Sequence, residues 1–350
     1  MRYELRPETL GERAALWLDA IPLPALEMLV PLVKVRAIMA GVRLGIFECL
    51  ARGKLDARAL AEKASLDPKS LVLLLRVLVA AGYVVSDGER YWLAPAARKS
   101  LVNGGRRPLC AYVEFNYAQW QFVEELENTL RVGRGIDFHR TLLHSSVEWR
   151  SYQRAMLELC RPACLLAAAR VPIRAGARRL LDLGGAHGLL GAAICRAHPP
   201  LRSLVLDLPE ALPEARALAQ QEGIEDVVEH RASGLVDVDF DSSAPLDAIL
   251  LSNVLHNFSK PQVKGLLRRA YCALPNGGTI AIWEAELPES DSAPNLVRDA
   301  LALYFRVTSS GPGCSPTRLG RWLSRAGFQR VRSWRSRRAP GWVLLHARRS

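Results

Sequence analysis

Residues 180–190 read LLDLGGAHGLL, and this stretch decides the fold of the chain. An apolar run of strand character leads into a glycine-rich turn, and an apolar run of helical character follows it. Glycine is needed in such a turn because the backbone bends tightly and a ligand approaches it closely. The spacing is not the G-x-G-x-x-G of dinucleotide-binding proteins. Instead, Gly184, Ala186 and Gly188 occupy alternate positions, which predicts a ligand-binding turn of a different class.

Downstream of about residue 171, short apolar runs alternate with helical patterns. This alternation predicts an α/β fold with a mainly parallel sheet that is covered by helices on both faces. The expected strands are residues 179–183, 203–206, 227–231, 247–252 and 279–283. Two final runs, 329–334 and 341–347, are separated by a short turn that contains Pro340, and they predict an antiparallel pair at the edge of the sheet.

The first 105 residues predict a separate helical domain. Residues 71–81 form an apolar helical run, and residues 83–85 and 91–93 predict two short strands around a turn, which together give a winged-helix pattern. A DNA-recognition helix needs basic and polar residues on its exposed face, whereas this helix is apolar nearly all round. We therefore expect a packing or dimerisation domain in residues 1–105, with DNA binding as the alternative.

Residues 106–170 predict a helical connector that is rich in aromatic side chains. Most of these side chains are expected in the core, but a helical layer of this kind can also line an apolar pocket. We place Trp120 in such a pocket. Residues 171–350 then form the predicted ligand-binding domain.

The composition is that of a folded protein, since 49% of the 350 residues are hydrophobic and 23% are charged. The net charge of +12 is concentrated near the end, because residues 318–350 contain ten arginines and no acidic residue. A basic stretch attracts phosphates, but without interleaved aromatic residues it does not predict a surface on which bases stack. We expect no nucleic-acid partner.

The sequence shows no signal peptide and no run that is long and apolar enough to span a membrane. We therefore expect a cytoplasmic protein with no membrane association. The seven cysteines are scattered and do not predict a disulfide framework, and Cys160 and Cys164 lack the further ligands that a zinc site requires. No bound metal is expected.

Three side chains follow strands that should meet at one crevice of the sheet. Asp207 ends the second strand, where a carboxylate can accept hydrogen bonds from both ribose hydroxyls of a nucleoside. His256 follows the strand at 247–252, and a neutral imidazole, with an ordinary pKa of about 6.5, can take up a proton. Glu284 ends the next strand, where it would orient the imidazole as in a catalytic triad. A helix N-cap, a packed or surface histidine and a solvated carboxylate are the respective alternatives.

The same strand end supplies further candidates. We place Ser252 and Asn253 beside the nucleoside ligand, because ligands of open α/β sheets bind beyond the carboxyl ends of the strands. We place Asn257 beside the second substrate, next to His256.

From Leu44 to Phe328 the chain resembles the plant-type, or small-molecule, O-methyltransferase family, which includes caffeic acid, acetylserotonin and bacterial polyketide O-methyltransferases. The segments that carry the resemblance are residues 44–47 with the winged helix, 182–188, 207–209, 254–258, 273–278 and 326–328. The resemblance implies a class I S-adenosylmethionine (SAM) methyltransferase fold and a homodimer built through the N-terminal domain.

The resemblance also implies roles for single residues. SAM would be held by Asp182, Gly184, Gly185, Gly188 and Asp207. His256 would be the general base, Glu284 would orient it, and Met156 would line the acceptor pocket. We therefore predict methyl transfer from SAM to a hydroxyl of an apolar small molecule, such as a phenol, polyketide or pigment.

The chain departs from the family pattern at three places. The aspartate near the adenine is missing from residues 232–234, where Asp237 or Asp239 would replace it only after a shift of the loop. The second glutamate beside the base is missing from residues 313–316, and His187 stands where a small or apolar residue is usual. These departures keep other SAM chemistry open: C- or N-methylation, hydroxylation, decarboxylation or a pericyclic reaction. A nucleotide-dependent oxidoreductase and a winged-helix regulator are further alternatives.

Overall fold

The computed structural model describes residues 7–141, 144–236, 238, 240, 245–289, 291–311, 313–337, 339 and 341–350. Asp237, Asp239 and Pro340 lie outside the described residues. The chain divides into two compact units between residues 117 and 118. The domain boundaries expected near residues 105 and 170 stay predictions.

The first unit combines helices with a small sheet. Its elements are α1 (Leu10–Trp17), α2 (Leu23–Arg43), α3 (Ile46–Ala51), β1 (Leu55–Asp56), α4 (Ala57–Ala64), α5 (Pro68–Ala80), β2 (Val84–Ser86), β3 (Arg90–Leu93), α6 (Pro95–Ser100) and the start of α7 (Cys110–Val123). In the described part, β3 pairs antiparallel with both β1 and β2. The predicted hairpin is therefore present, and the short strand β1 is added to it.

Helix α5 buries one face rather than its whole surface. Leu71, Leu75 and Leu78 recur at helical spacing and pack in the core of the first unit with Phe47 of α3. Leu73, on the other side of α5, is exposed. One side of this helix is therefore exposed in the single chain.

Helix α2 carries an apolar surface that the chain itself leaves uncovered. Met28 is 70% exposed and Leu29 is 60% exposed, and Leu32 and Val33 are also exposed. We call these four residues the α2 apolar face. Contiguous exposed apolar residues of this kind often mark interaction surfaces, because monomeric proteins rarely expose large apolar patches.

The second unit alternates strands and helices. After α7 it contains α8 (Leu126–Val132), α9 (Phe138–Thr141), α10 (Ser146–Ala168), β4 (Arg179–Leu183), α11 (Leu189–Ala197), β5 (Arg202–Asp207), α12 (Leu212–Gln221), β6 (Val228–Ala232), β7 (Ala248–Ser252), a 3₁₀ turn (Leu255–Asn257), α13 (Lys260–Ala273), β8 (Thr279–Ala285), α14 (Leu296–Thr308), α15 (Pro316–Ala326), β9 (Gln329–Arg335) and β10 (Trp342–Arg348). All the predicted strands are confirmed, with ends shifted by two residues at most.

The described residues form a seven-stranded sheet in the order β6-β5-β4-β7-β8-β10-β9. The strands from β6 to β8 are parallel, and β10 pairs antiparallel with β8 and β9. One face packs on α13 and α15, and the other packs on α10 and α11. The chain winds in opposite directions on the two sides of β4, so the ends of β4, β5 and β7 border the crevice where such sheets bind ligands.

No helix in the described ranges is both long enough and apolar enough to cross a lipid bilayer. All seven cysteines are described, and none of them forms a disulfide.

Candidate active site

The glycine turn between β4 and α11 uses the left-handed backbone region three times. Gly184, Ala186 and Gly188 have φ values of +66°, +50° and +76°. A Cβ atom at Gly184 would lie 2.8 Å from a methyl carbon of Val254, so this position has no room for a side chain. Ala186 adopts the same region although a left-handed conformation strains any residue with a Cβ by about 1–2 kcal/mol.

Hydrogen bonds from two neighbouring strands hold Ala186 in this conformation. Its N–H donates to Oδ2 of Asp207 at 2.8 Å, and its carbonyl lies 3.0 Å from Nε2 of His230. Asp207 also accepts from the N–H of Leu208 at 2.8 Å. Burial raises the pKa of Asp207 to about 6, although these two N–H groups act in the opposite direction. Asp207 therefore couples the shape of the turn to the end of β5.

Asp182 packs against the buried side of the glycine turn. A Cβ atom on Gly185 would come within 2.4 Å of its carboxyl carbon. Asp182 is buried, and Oδ1 has no hydrogen-bond partner among the described residues. Burial, helped by the charge of Asp207, raises the pKa of Asp182 to about 8. The carboxyl group is thus neutral near pH 7 and supports the turn from below.

A cavity of about 700 Å³ opens where β4, β5 and β7 end. Of the residues predicted to hold the nucleoside ligand, Gly184, Asp207 and Asn253 line it. Asp182, Gly185, Gly188 and Ser252 do not line this cavity. Asn253 has a positive φ of +51°, which turns the chain sharply after β7.

His256 and Glu284 are brought together as the strand order predicted. Nδ1 of His256 lies 2.9 Å from Oε2 of Glu284, and Oε1 accepts from the N–H groups of Val254 and Leu255 at 2.8 and 2.6 Å. Glu284 is buried on β8, the parallel neighbour of β7. Since a carboxylate accepts, the proton of a neutral His256 ring lies on Nδ1 and Nε2 is left as the basic atom.

The His256 ring is held but not fully enclosed. Its side chain is 12% exposed, and it packs against the ring of Phe305 at a centroid distance of 4.6 Å. Nε2 has no hydrogen-bond partner in the described part of the chain. His256 and Glu284 border a space of about 10 Å³, while Asn257, the next residue, lines the large cavity.

The sequence interpretation missed a second histidine in the cavity wall. His139 on α9 lies 3.2 Å from the Tyr152 hydroxyl through Nε2 and stacks at 6.0 Å on Trp149. Burial, with the nearby charge of His256, lowers the pKa of His139 to about 4. The loop before α9 is fixed by the N–H of Ile136, which donates to the carbonyl of Val307. No local pattern in the sequence indicates this long-range contact.

The other residues placed beside the acceptor are not on this wall. Met156 lies one turn beyond Gln153 on α10 and is half-buried, and Trp120 lies half-buried on α7. Trp149, Tyr152 and Gln153 of α10 line the cavity instead. In the described ranges, no group of three or more histidine, cysteine, aspartate or glutamate side chains is arranged to hold a metal ion.

Comparison with protein families identifies the second unit. Residues 134–329 match the O-methyltransferase domain, which is more than half of the chain. The chain belongs to this O-methyltransferase family. Residues 26–103 also match the O-methyltransferase dimerisation domain. The chain is accordingly a SAM-dependent O-methyltransferase with the class I methyltransferase fold.

Individual relatives of this O-methyltransferase are distant but extend over most of the chain. A 3-hydroxy-5-methyl-1-naphthoate 3-O-methyltransferase from Streptomyces sahachiroi is 26% identical over 307 residues, which are 86% of this chain and 88% of the relative. An N,N-dimethyltransferase from Streptomyces rimosus is 27% identical over 275 residues, 76% of this chain and 78% of the relative. The structure of human N-acetylserotonin methyltransferase in complex with SAM has a TM-score of 0.78, covers 99% of this chain and 100% of its own, and shares the fold at 22% identity.

The cavity wall of this O-methyltransferase fits SAM. The Asp207 carboxylate can accept the ribose hydroxyls, and Gly184 lets the ligand approach the main chain without a side chain between them. Gln153 adds a buried amide oxygen without a partner among the described residues. These acceptors suit a cationic ligand with several hydrogen-bond donors.

The departures from the family pattern have local explanations in part. Cys314 borders the small space beside His256 and Glu284, and burial raises the pKa of its thiol to about 11. A neutral thiol therefore lies in the segment where the family has a second carboxylate. Nδ1 of His187 accepts from the N–H of Leu189 at 3.1 Å, so this histidine caps the start of α11.

Proposed function

We propose that this O-methyltransferase transfers the methyl group of SAM to a hydroxyl oxygen of an apolar small molecule, with His256 as the general base. The observation that carries the proposal is the hydrogen bond between His256 and Glu284, whose carboxylate also holds Val254, the residue that packs against Gly184 of the glycine turn. Gly184 and Asn253 from the predicted cofactor site and Asn257 next to His256 line the same cavity, which supports one reaction chamber.

His256 would act on the proton of the acceptor hydroxyl. When bound, SAM supplies an electrophilic methyl group on its sulfonium sulfur. His256 takes the hydroxyl proton on Nε2 as the oxygen gains the methyl group, and Glu284 stabilises the resulting imidazolium. A general base of this kind accelerates a reaction by about 10²–10⁴-fold.

His139 is a poorer candidate for the same role. Burial lowers the pKa of His139 to about 4, so the ring holds a proton weakly at neutral pH. No carboxylate is hydrogen-bonded to it in the described residues, whereas Glu284 is hydrogen-bonded to His256. We therefore assign His139 to the wall of the acceptor site and proton removal to His256.

The aromatic part of the wall supports an acceptor with an apolar ring system, while polar side chains such as Asp137, Arg140 and Gln262 line other parts of the cavity. Trp149, Tyr152, Val254 and Phe258 contribute to the lining of the cavity. Trp149 and Tyr152 lie edge to face at a centroid distance of 6.1 Å and offer an aromatic surface. A phenolic ring is one acceptor that such a surface holds, and a phenol at its ordinary pKa of about 10 needs a base.

We also propose that the protein forms a homodimer. The match of residues 26–103 to the dimerisation domain and the uncovered α2 apolar face support this assembly. We assign dimerisation to residues 1–105, the helical connector to 106–170 and SAM binding to 171–350.

Mass spectrometry tests the proposed reaction. The purified chain is incubated with SAM carrying a deuterated methyl group and with a panel of phenols, naphthols and hydroxyanthraquinones. We expect a product with one added labelled methyl on oxygen, and loss of this product in His256→Ala with retained binding of S-adenosylhomocysteine. Full activity of His256→Ala would remove the assigned role of His256.

Nitrogen methylation is the second candidate. It is favoured by the similarity to the N,N-dimethyltransferase and by Gly313 and Cys314 in the segment where the second glutamate is expected. A parallel panel of aromatic amines distinguishes the two reactions, because the labelled methyl group then appears on nitrogen.

A further inference from the structure

Gln153 is a buried polar side chain that has no partner where it lies. It is 1% exposed, and its amide oxygen Oε1 makes no hydrogen bond within the described residues. The same residue lines the cavity of about 700 Å³ together with Gly184 and Asp207. An unpaired buried acceptor destabilises a fold, so its presence beside a ligand cavity calls for an explanation.

The position of Gln153 on α10 directs it toward the glycine turn. Cys160 lies two turns further on the same helix face and packs in the cluster that contains Leu190 of α11. The main-chain carbonyl of Met156 also accepts a hydrogen bond from the ring of His187, which lies in the glycine turn. The helix segment that carries Gln153 therefore runs along the residues that connect β4 to α11.

We propose that Gln153 binds the amino-acid end of SAM, with Oε1 accepting a hydrogen bond from the α-ammonium group. This inference rests on the cofactor site of the proposed function. Gln153 lines the cavity, so rotation of its terminal amide presents Oε1, which has no donor where it lies, to a ligand that supplies one. Asp207 is already the acceptor suited to the ribose hydroxyls. The α-ammonium group supplies charged donors, and hydrogen bonds with a charged partner are stronger than neutral ones.

Two available ligands isolate this contact. S-adenosylhomocysteine carries the amino-acid end, whereas 5′-methylthioadenosine has the same adenosine and thioether but no ammonium group. Calorimetry measures both dissociation constants for the wild type and for Gln153→Met, a change that removes the amide at nearly the same volume. We expect the preference for S-adenosylhomocysteine to fall at least about tenfold in Gln153→Met, with 5′-methylthioadenosine bound as before.

A stability measurement separates this role from a structural one. Freed of ligand, Gln153→Met should have a melting temperature equal to or above that of the wild type, because an unpaired buried oxygen has been removed. Gln153→Glu, which keeps an acceptor, should retain the preference for S-adenosylhomocysteine. Gln220→Leu, an exposed glutamine on α12, is the matched control and should change neither property.

Three results would overturn the inference. The first is an unchanged ligand preference in Gln153→Met, which would leave the amide oxygen to the methyl acceptor or to no ligand. The second is equal weakening of both ligands, which would assign Gln153 to the adenosine. The third is a lower melting temperature of the ligand-free variant. Because no methyl transfer is measured, a protein that binds SAM without methylating a hydroxyl would defeat the proposed function alone.

Discussion

Nδ1 of His256 lies 2.9 Å from Oε2 of Glu284, and the same carboxylate accepts from the main-chain N–H groups of the two residues that precede His256. Three consecutive residues, 254–256, thus donate to one buried side chain on the neighbouring strand. This arrangement fixes the backbone before His256, the orientation of the ring and the nitrogen that carries the proton.

Replacement of Glu284 by glutamine should separate folding from chemistry. The N–H groups of Val254 and Leu255 would hold the amide oxygen, so the NH₂ group would face His256 and force the ring proton onto Nε2. We expect Glu284→Gln to bind S-adenosylhomocysteine normally and to lose about 10²–10⁴-fold in kcat. Glu286→Gln, two residues further along, is the control and should keep its activity. Turnover of Glu284→Gln at the wild-type rate would contradict the orienting role.

The two histidines of the site should respond differently to substitution. His256→Ala removes the proposed base and should lower kcat by about 10²–10⁴-fold. His139→Phe keeps a ring against Trp149 and removes only nitrogens, so kcat at a saturating acceptor concentration should stay within about tenfold of the wild type. Steady-state kinetics with an acceptor from the phenol panel measure both, and the reverse order of effects would exchange the two roles.

Binding of S-adenosylhomocysteine should weaken as the pH falls through about 6. Burial raises the pKa of Asp207 to about 6, and the carboxylate, not the acid, accepts both ribose hydroxyls. Above pH 6 the group is ionised and binding is at full strength, whereas below pH 6 each unit should cost up to about tenfold in affinity. Asp182, with a pKa raised to about 8, is already protonated in this range. Calorimetry should show the pH dependence in the wild type and its absence in Asp207→Asn.

The glycine turn should tolerate one substitution and reject another. Gly185→Ala drives a methyl group into the Asp182 carboxyl and should lower the free energy of unfolding by about 1–3 kcal/mol. Ala186→Gly relieves a left-handed alanine while making the unfolded chain more flexible, so the two effects should cancel to within about 1 kcal/mol. Gly234→Ala, with open space around it, is the neutral control. Chemical denaturation measures all three.

Introducing charged residues on the α2 apolar face should dissociate the proposed dimer. Size-exclusion chromatography with light scattering measures the mass in solution. We expect twice the mass of the chain for the wild type and the mass of a single chain for the double variant Leu29→Asp, Val33→Asp. Leu130→Asp changes an exposed leucine of the second unit and should leave the dimer intact. A wild-type monomer, or a dimer that survives both charges, would exclude this face as the interface.

The positions of the strands along the chain were predictable because the pattern that marks a strand is local. Apolar runs such as 179–183 and 279–283 are bounded by turn residues, and buried parallel strands need little else to be recognised. The short strand β1 was not, since Leu55 and Asp56 form a strand only by pairing with residues about 35 positions away.

Site residues were predictable from the sequence where they directly follow the end of a strand. Adjacent parallel strands bring Asp207 to the glycine turn and Glu284 to His256, and both follow from strand order. His139 and Gln153 were missed for a physical reason. His139 is placed by a contact with the end of α14, and Gln153 matters through a missing hydrogen bond, which no sequence pattern displays.

Strand β10 also has a consequence for how the protein is made on the ribosome. It lies between β8 and β9, so β9 has no place in the sheet until residues 342–348 have emerged. Until then, the edge of β8 is unpaired in the nascent catalytic unit, and the arginine-rich segment of β9 is not part of the sheet. Unpaired strand edges of this kind attract other chains, and we expect the protein to depend on chaperones most while residues 336–348 are being translated.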